Sequence, residues 1–143
     1  MKAYYFFILS ALLFISSCSI ELEKINYGKE SCHFCKMTII DNQHAAEAVT
    51  TKGKVFKYDA IECMINDLKQ KNEVEFGLLA VNDYASPGAL IDAKTAAFLI
   101  SKKIKSPMGA FLSAFEKQEE AEKALTEYKG NLYNWEEIQH EIN

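Results

Sequence analysis

Residues 82–88 (NDYASPG) divide the chain into two stretches whose order of elements reads the same. Asn, Asp, Pro and Gly in one short run supply the backbone geometries of a loop. Before it, residues 45–51 (AAEAVTT) and 54–58 (KVFKY) read as strands, and Lys52-Gly53 between them is a tight-turn signal, so the two form a hairpin. Asp59 then opens Asp-Ala-Ile-Glu, a helix start in which Asp59 caps free backbone N–H groups and Glu62 reaches back. Ile61, Met64, Ile65 and Leu68 follow the i, i+3, i+4, i+7 spacing of an amphipathic helix running to about residue 70. Residues 75–81 (EFGLLAV) read as a third strand, weakened by Gly77. After the loop come a strand at 96–101, a basic connection at 102–107, a strand at 109–115, a helix of strong formers at 118–129 with Gly130 at its C-cap, and a last strand at 131–135.

This pattern predicts an α+β protein of two small ββαβ units, 31–82 and 89–135, packed as one compact body, with 18–30 as a polar tether and 136–143 as a tail or short helix. A chain of 143 residues suits one domain or two very small ones packed together.

The N-terminus carries a different message. Lys2 precedes an apolar run at 3–15 (AYYFFILSALLFI), shorter than the roughly 20 residues a membrane span needs. It has the size of a secretory h-region, and it ends in Ile15-Ser16-Ser17-Cys18, small residues followed by cysteine. Residues 1–17 therefore read as a lipoprotein signal peptide. Cys18 reads as the lipidated residue that holds the protein on a membrane of the bacterial cell envelope. A net charge of −4 argues against nucleic acid as a partner. The cysteines that remain, Cys32, Cys35 and Cys63, are odd in number, so no disulfide framework holds the fold.

Cys32-His33-Phe34-Cys35-Lys36-Met37 joins C-x-x-C to a methionine two residues on, and Ser106-Pro107-Met108-Gly109 sets a second methionine in a turn. Met108 either fills a core gap or presents its thioether as a ligand. Three chemistries fit the first motif. Thiolate plus thioether is a soft donor set that selects Cu(I). Zinc calls for four closed ligands, for which Cys32, Cys35, His33 and His44 are the candidates, although His33 lies inside the C-x-x-C turn. A redox dithiol of Cys32 and Cys35 is the third, yet no helix start follows Cys32 to lower a thiol pKa. His33 and His44 are further candidate copper ligands. Cys63 and Met64 flank or join an apolar helix stripe and read as core, Asp59 as a cap, His140 as solvated, and Lys102, Lys103 and Lys105 as a solvated basic loop.

The run Cys32-x-x-Cys35-x-Met37, Asp41, Ala46-Glu47, 53–59 (GKVFKYD), Cys63-Met64, Ile91-Asp92-Ala93, Ser106-Pro107-Met108-Gly109 and Ala114-Phe115 resembles, in this order, the NosL family over about residues 27–130. The resemblance implies two related ββαβ units. It also implies a periplasmic lipoprotein that is no enzyme but a Cu(I) metallochaperone for an exported copper enzyme, with nitrous oxide reductase the expected recipient. Carried over residue by residue, Cys35, Met37 and Met108 are the implied Cu(I) ligands, with Cys32, His33 and His44 as further candidates. Lys36 departs from the family pattern, where glycine is frequent, and restricts the turn. The competing function is an envelope thiol–disulfide oxidoreductase using Cys32 and Cys35.

Overall fold

The computed structural model describes residues 19–142, so the expected signal peptide and Cys18 lie outside the described residues. Strand β1 (Ala46–Thr50) and strand β2 (Val55–Tyr58) form the expected antiparallel hairpin. Gly53 takes φ +83 in its turn, a value that costs glycine nothing. Helix α1 (Ile61–Gln70) follows, then β3 (Phe76–Asn82), which returns to pair with β1 on the side away from β2. The second stretch repeats this path: β5 (Ala97–Ile100), β6 (Leu112–Phe115), α2 (Gln118–Tyr128) and β7 (Asn131–Tyr133). The strand orders are β2-β1-β3-β4 and β6-β5-β7, all antiparallel. In each unit the first strand is central, flanked by its hairpin partner and by the strand that follows the helix.

Strand β4 (Leu90–Asp92) has no counterpart in the repeat and was not foreseen. It follows the 83–89 turn and pairs with β3, so residues 90–92 extend the first sheet rather than open the second. At the C-terminus, α3 (Trp135–Glu141) is fixed by a capping box: the Asn134 side chain accepts from the Glu137 backbone N–H, and the Glu137 carboxylate accepts from that of Asn134. Among the described residues no helix is long and apolar enough to cross a membrane.

One continuous core joins the units. Ile61, Met64 and Ile65 of α1 and Ala46 and Ala48 of β1 share it with Phe98 of β5, Leu112 and Ala114 of β6, and Trp135 and Ile138 of α3. Period-two alternation turns Ala97 and Leu99 to the opposite face of β5, where they pack with Phe115, Ala121 and Ala124 under α2. The sheets also touch through backbone: Asp83 and Ala114 form a parallel bridge, and the Tyr84 N–H donates to the Ala114 carbonyl at 2.8 Å. His44 bolts the same seam, its ring nitrogens lying 3.0 Å from Asp41 Oδ2 and 3.1 Å from Ser113 Oγ.

Residues 19–30 are packed against the first sheet, unlike the free tether expected from their polarity. Ile25 is buried in the core, and the Tyr27 hydroxyl donates to Asn82 Oδ1 at 3.1 Å. Two facing residues on β1 and β2 hold the segment down. Glu47 Oε1 accepts from the Glu23 backbone N–H at 2.7 Å, and Lys57 Nζ reaches Glu23 at 3.2 Å, Glu30 at 2.9 Å and the Lys24 carbonyl at 3.0 Å. Composition missed this because the charged side chains that make the segment look solvated are the groups that clamp it.

Glu47 is fully buried and its Oε2 has no hydrogen-bond partner among the described residues, so burial raises its carboxyl above the ordinary glutamate value. A raised folded-state pKa makes the ionised form a cost that grows as pH climbs from about 4.3 through the folded value. Glu47→Gln keeps the acceptor for Glu23 and removes that cost. The difference in Tm between variant and parent should therefore move in the variant's favour between pH 4 and pH 8. A pH-independent difference in thermal melts would refute it.

Candidate metal centre

Residues 31–38 fold into a tight knuckle. Cys32 N–H donates to the Met37 carbonyl at 2.7 Å, Lys36 N–H donates to the Cys32 carbonyl at 3.1 Å, and Ser31 bridges Thr38. The turn needs a left-handed residue at its tip, and Lys36 supplies it with φ +68, a conformation that disfavours any side chain. Lys36 Nζ donates to the His33 carbonyl and closes the knuckle from outside. The result buries Cys32, leaves Cys35 half-buried and exposes Met37, 54% of whose surface is accessible.

The knuckle lies against the start of α1. The reading of Asp59 and Glu62 as a helix cap does not hold: the N-cap is Ala60, with no side-chain cap. Asp59, buried just before the helix, instead has its Oδ1 3.2 Å from Cys35 Sγ and 3.3 Å from Cys63 Sγ, accepting from both thiols. One donor atom from each of Cys32, Cys35, Asp59 and Cys63 lies within 4.8 Å of every other. Cys63, read from the sequence as a core thiol, is buried as expected and yet belongs to this cluster. Local spacing does not single it out, because Asp59 lies before the helix and Ala60 is extended, so the two residues do not share a helical face.

Glu62 serves the site from the other side. Its Oε1 accepts from the Ser106 hydroxyl at 2.9 Å and from the Ala110 N–H at 3.2 Å, while the Ser106 hydroxyl in turn accepts from the Phe111 N–H at 2.9 Å. These bonds pin the Ser106–Met108 turn of the second unit onto the first turn of α1. Met108 is 43% exposed, and it lines a cavity of about 420 Å³ together with Cys63, Phe34 and Glu62. The two halves thus bring Met108 and Cys63 of the thiol cluster to one cavity.

The histidines do not join the cluster. His33 Nε2 lies 4.0 Å from Asp67 and 3.4 Å from Lys71 Nζ, its ring is edge-on to Phe56, and burial lowers its pKa. His44 is committed to Asp41 and Ser113. His140 is exposed, as are Lys102, Lys103 and Lys105, and Met64 is fully buried core.

The three thiols differ in acidity. The hydrogen bond from Cys63 holds Cys32 down at about 6 in spite of burial. The same hydrogen bond, with burial, pushes Cys63 up. Burial pushes Cys35 up to about 11. Hydrogen bonding within the cluster thus favours the charged form on Cys32 and, together with burial, disfavours it on Cys63, while burial disfavours it on Cys35.

A small α+β protein that gathers three thiols and a carboxylate against a methionine-lined cavity belongs, by fold and site chemistry, among candidate soft-metal binders. The chain belongs to the NosL family, whose model matches residues 24–143. It is 27% identical over 120 residues, 78% of its own length, to the copper-binding lipoprotein NosL of Stutzerimonas stutzeri, and it spans 63% of that relative's length. It shares its fold with the crystal structure of the copper chaperone NosL from Shewanella denitrificans. That match has a TM-score of 0.72 at 24% identity and covers 84% of this chain and 96% of the other.

Proposed function

We propose that this protein is a non-enzymatic Cu(I) metallochaperone, lipidated on Cys18, facing the periplasm of the bacterial envelope, and passing its ion to an exported copper enzyme. Nitrous oxide reductase is the expected recipient. Cys35, Met37 and Met108 are the ligands used in exchange. The observation that carries the reading is the gathering of three thiols and the Asp59 carboxylate within 4.8 Å of one another, with Cys35 half-buried and Cys63 on the wall of an open cavity that Met108 also lines. A donor protein needs ligands that can be replaced one at a time, which a closed, buried cage prevents. The names of the two relatives above, both copper proteins, support the same assignment.

The acidity pattern favours copper over the thiol–disulfide oxidoreductase reading. A dithiol oxidoreductase attacks with an exposed, low-pKa cysteine. Here Cys32 is only 1% exposed and cannot meet a protein substrate, while burial raises the pKa of the more accessible Cys35 and so disfavours its thiolate. Titration of the reduced protein with Cu(I) against a chromophoric chelator, without oxygen, tests the proposal. One equivalent should be withdrawn from the chelator. Failure to compete at any concentration, or insulin-reducing activity that survives Met37→Ala and Met108→Ala but not Cys32→Ser, would overturn it.

A further inference from the structure

The sequence motif places copper on Cys35 with exposed methionines, yet the geometry offers a deeper position. Cys32 and Cys63 are each 1% exposed and come from different segments, the knuckle and the first turn of α1, and the half-buried Cys35 lies within 4.8 Å of both. Asp59 holds two of the three thiols by hydrogen bonds of 3.2 and 3.3 Å to a single oxygen. Such an arrangement orients the sulfurs toward one point, as outer-sphere partners orient metal ligands. The described sulfur atoms of all three cysteines are unbridged. Cys63 also lines the cavity that Met108 lines, which gives an ion a path from the exposed thioether to the buried sulfurs.

We propose that Cys32, Cys35 and Cys63 form a buried three-sulfur seat for Cu(I), inward of Met37 and Met108, with Asp59 as a positioning residue and Cys35 common to the inner and outer positions. This rests on the copper reading above and extends it. The ion rests among the three cysteines, shielded from water, and moves to the Cys35, Met37 and Met108 edge when a partner's ligand arrives. No electron is exchanged, and copper stays Cu(I). Each thiol that ligates releases its proton to the solvent, and each sulfur that lets go takes one back. Three thiolates around a monovalent ion suit its softness and low coordination number. The carboxylate, a harder donor, accepts from the Cys35 and Cys63 thiols before the ion arrives and gives up those hydrogen bonds as the thiols release their protons and ligate.

Replacing the methionines by selenomethionine lets X-ray absorption at the copper edge separate thiolate from thioether neighbours in the unmutated protein. The Cu(I)-loaded protein should show three sulfur neighbours and at most one selenium. One sulfur with two selenium neighbours, or any count below three sulfurs, overturns the inner seat while leaving the chaperone reading intact. A protein that binds no Cu(I) overturns both. In parallel, Cys63→Ser, checked for native circular dichroism, should lose one sulfur neighbour and weaken Cu(I) binding at least about tenfold, and unchanged affinity would refute the role of Cys63.

Discussion

Cys35→Ser should lower Cu(I) affinity by about a hundredfold or more, equivalent to about 2.7 kcal/mol, the largest binding effect of any single substitution at this site. In the proposed scheme Cys35 is the one sulfur common to the outer and inner positions, so its loss damages both. Oxygen in place of sulfur keeps the size nearly constant but replaces a soft donor by a hard, uncharged one that Cu(I) binds poorly. The fold should tolerate the change. Cys35 is half-buried, and a serine hydroxyl can still donate to Asp59 Oδ1, which now accepts the Cys35 thiol at 3.2 Å. Thermal melts should therefore shift little while chelator competition collapses. Met37→Ala, which removes a proposed ligand of the outer position alone, should cost less. Met64→Leu, a volume-conserving change at a fully buried core methionine, should leave Cu(I) binding untouched. Equal affinities for Cys35→Ser and the parent would remove the thiol motif from the copper site altogether.

The second large effect concerns stability. Phe98→Ala should destabilise the protein by about 3–5 kcal/mol, the usual cost of emptying a buried aromatic site, against a total that for domains of this kind is about 5–15 kcal/mol. Phe98 is fully buried at the centre of β5, yet it packs into the core built mainly from the first unit, with its ring 5.8 Å from that of Trp135. Its removal should weaken the joint between the sheets as well as β5 itself. The single tryptophan makes this measurable: Trp135 fluorescence reports α3, and far-ultraviolet circular dichroism reports the whole chain. Coincident urea transitions, both shifted to lower midpoint, are expected because one core spans both units. Two separated transitions in the parent protein would show that the units unfold independently and that the shared core is energetically minor.

The difference between a ligand and a scaffold residue here is a matter of which half of the chain is in view. Glu62 illustrates it. In the sequence it completes a cap signal with Asp59, three residues before it. In the fold its carboxylate turns instead to Ser106 and Ala110, more than forty residues away, and so fixes where Met108 stands. Asp59 is likewise drawn from the backbone N–H groups of α1 to two thiols. Both residues were singled out for the right place and the wrong partner, because a capping pattern records only what a carboxylate can reach locally.

What the sequence determined by itself is the set of features that depend on neighbouring residues. The hairpin follows from Lys52-Gly53 between two strand-forming runs, α1 from the stripe Ile61, Met64, Ile65 and Leu68, and α2 from a run of strong helix formers. The soft character of the Cys32–Met37 motif is fixed by the elements it contains. Tertiary structure alone decided the rest: that β4 joins the first sheet, that residues 19–30 are clamped by Glu47 and Lys57, that His44 is committed to Asp41 and Ser113, and that Cys63 joins Cys32 and Cys35. Each of these depends on a buried polar group or strand edge finding a partner far along the chain. Periodicity reports which face of an element is buried, but it carries no information about what that face will meet.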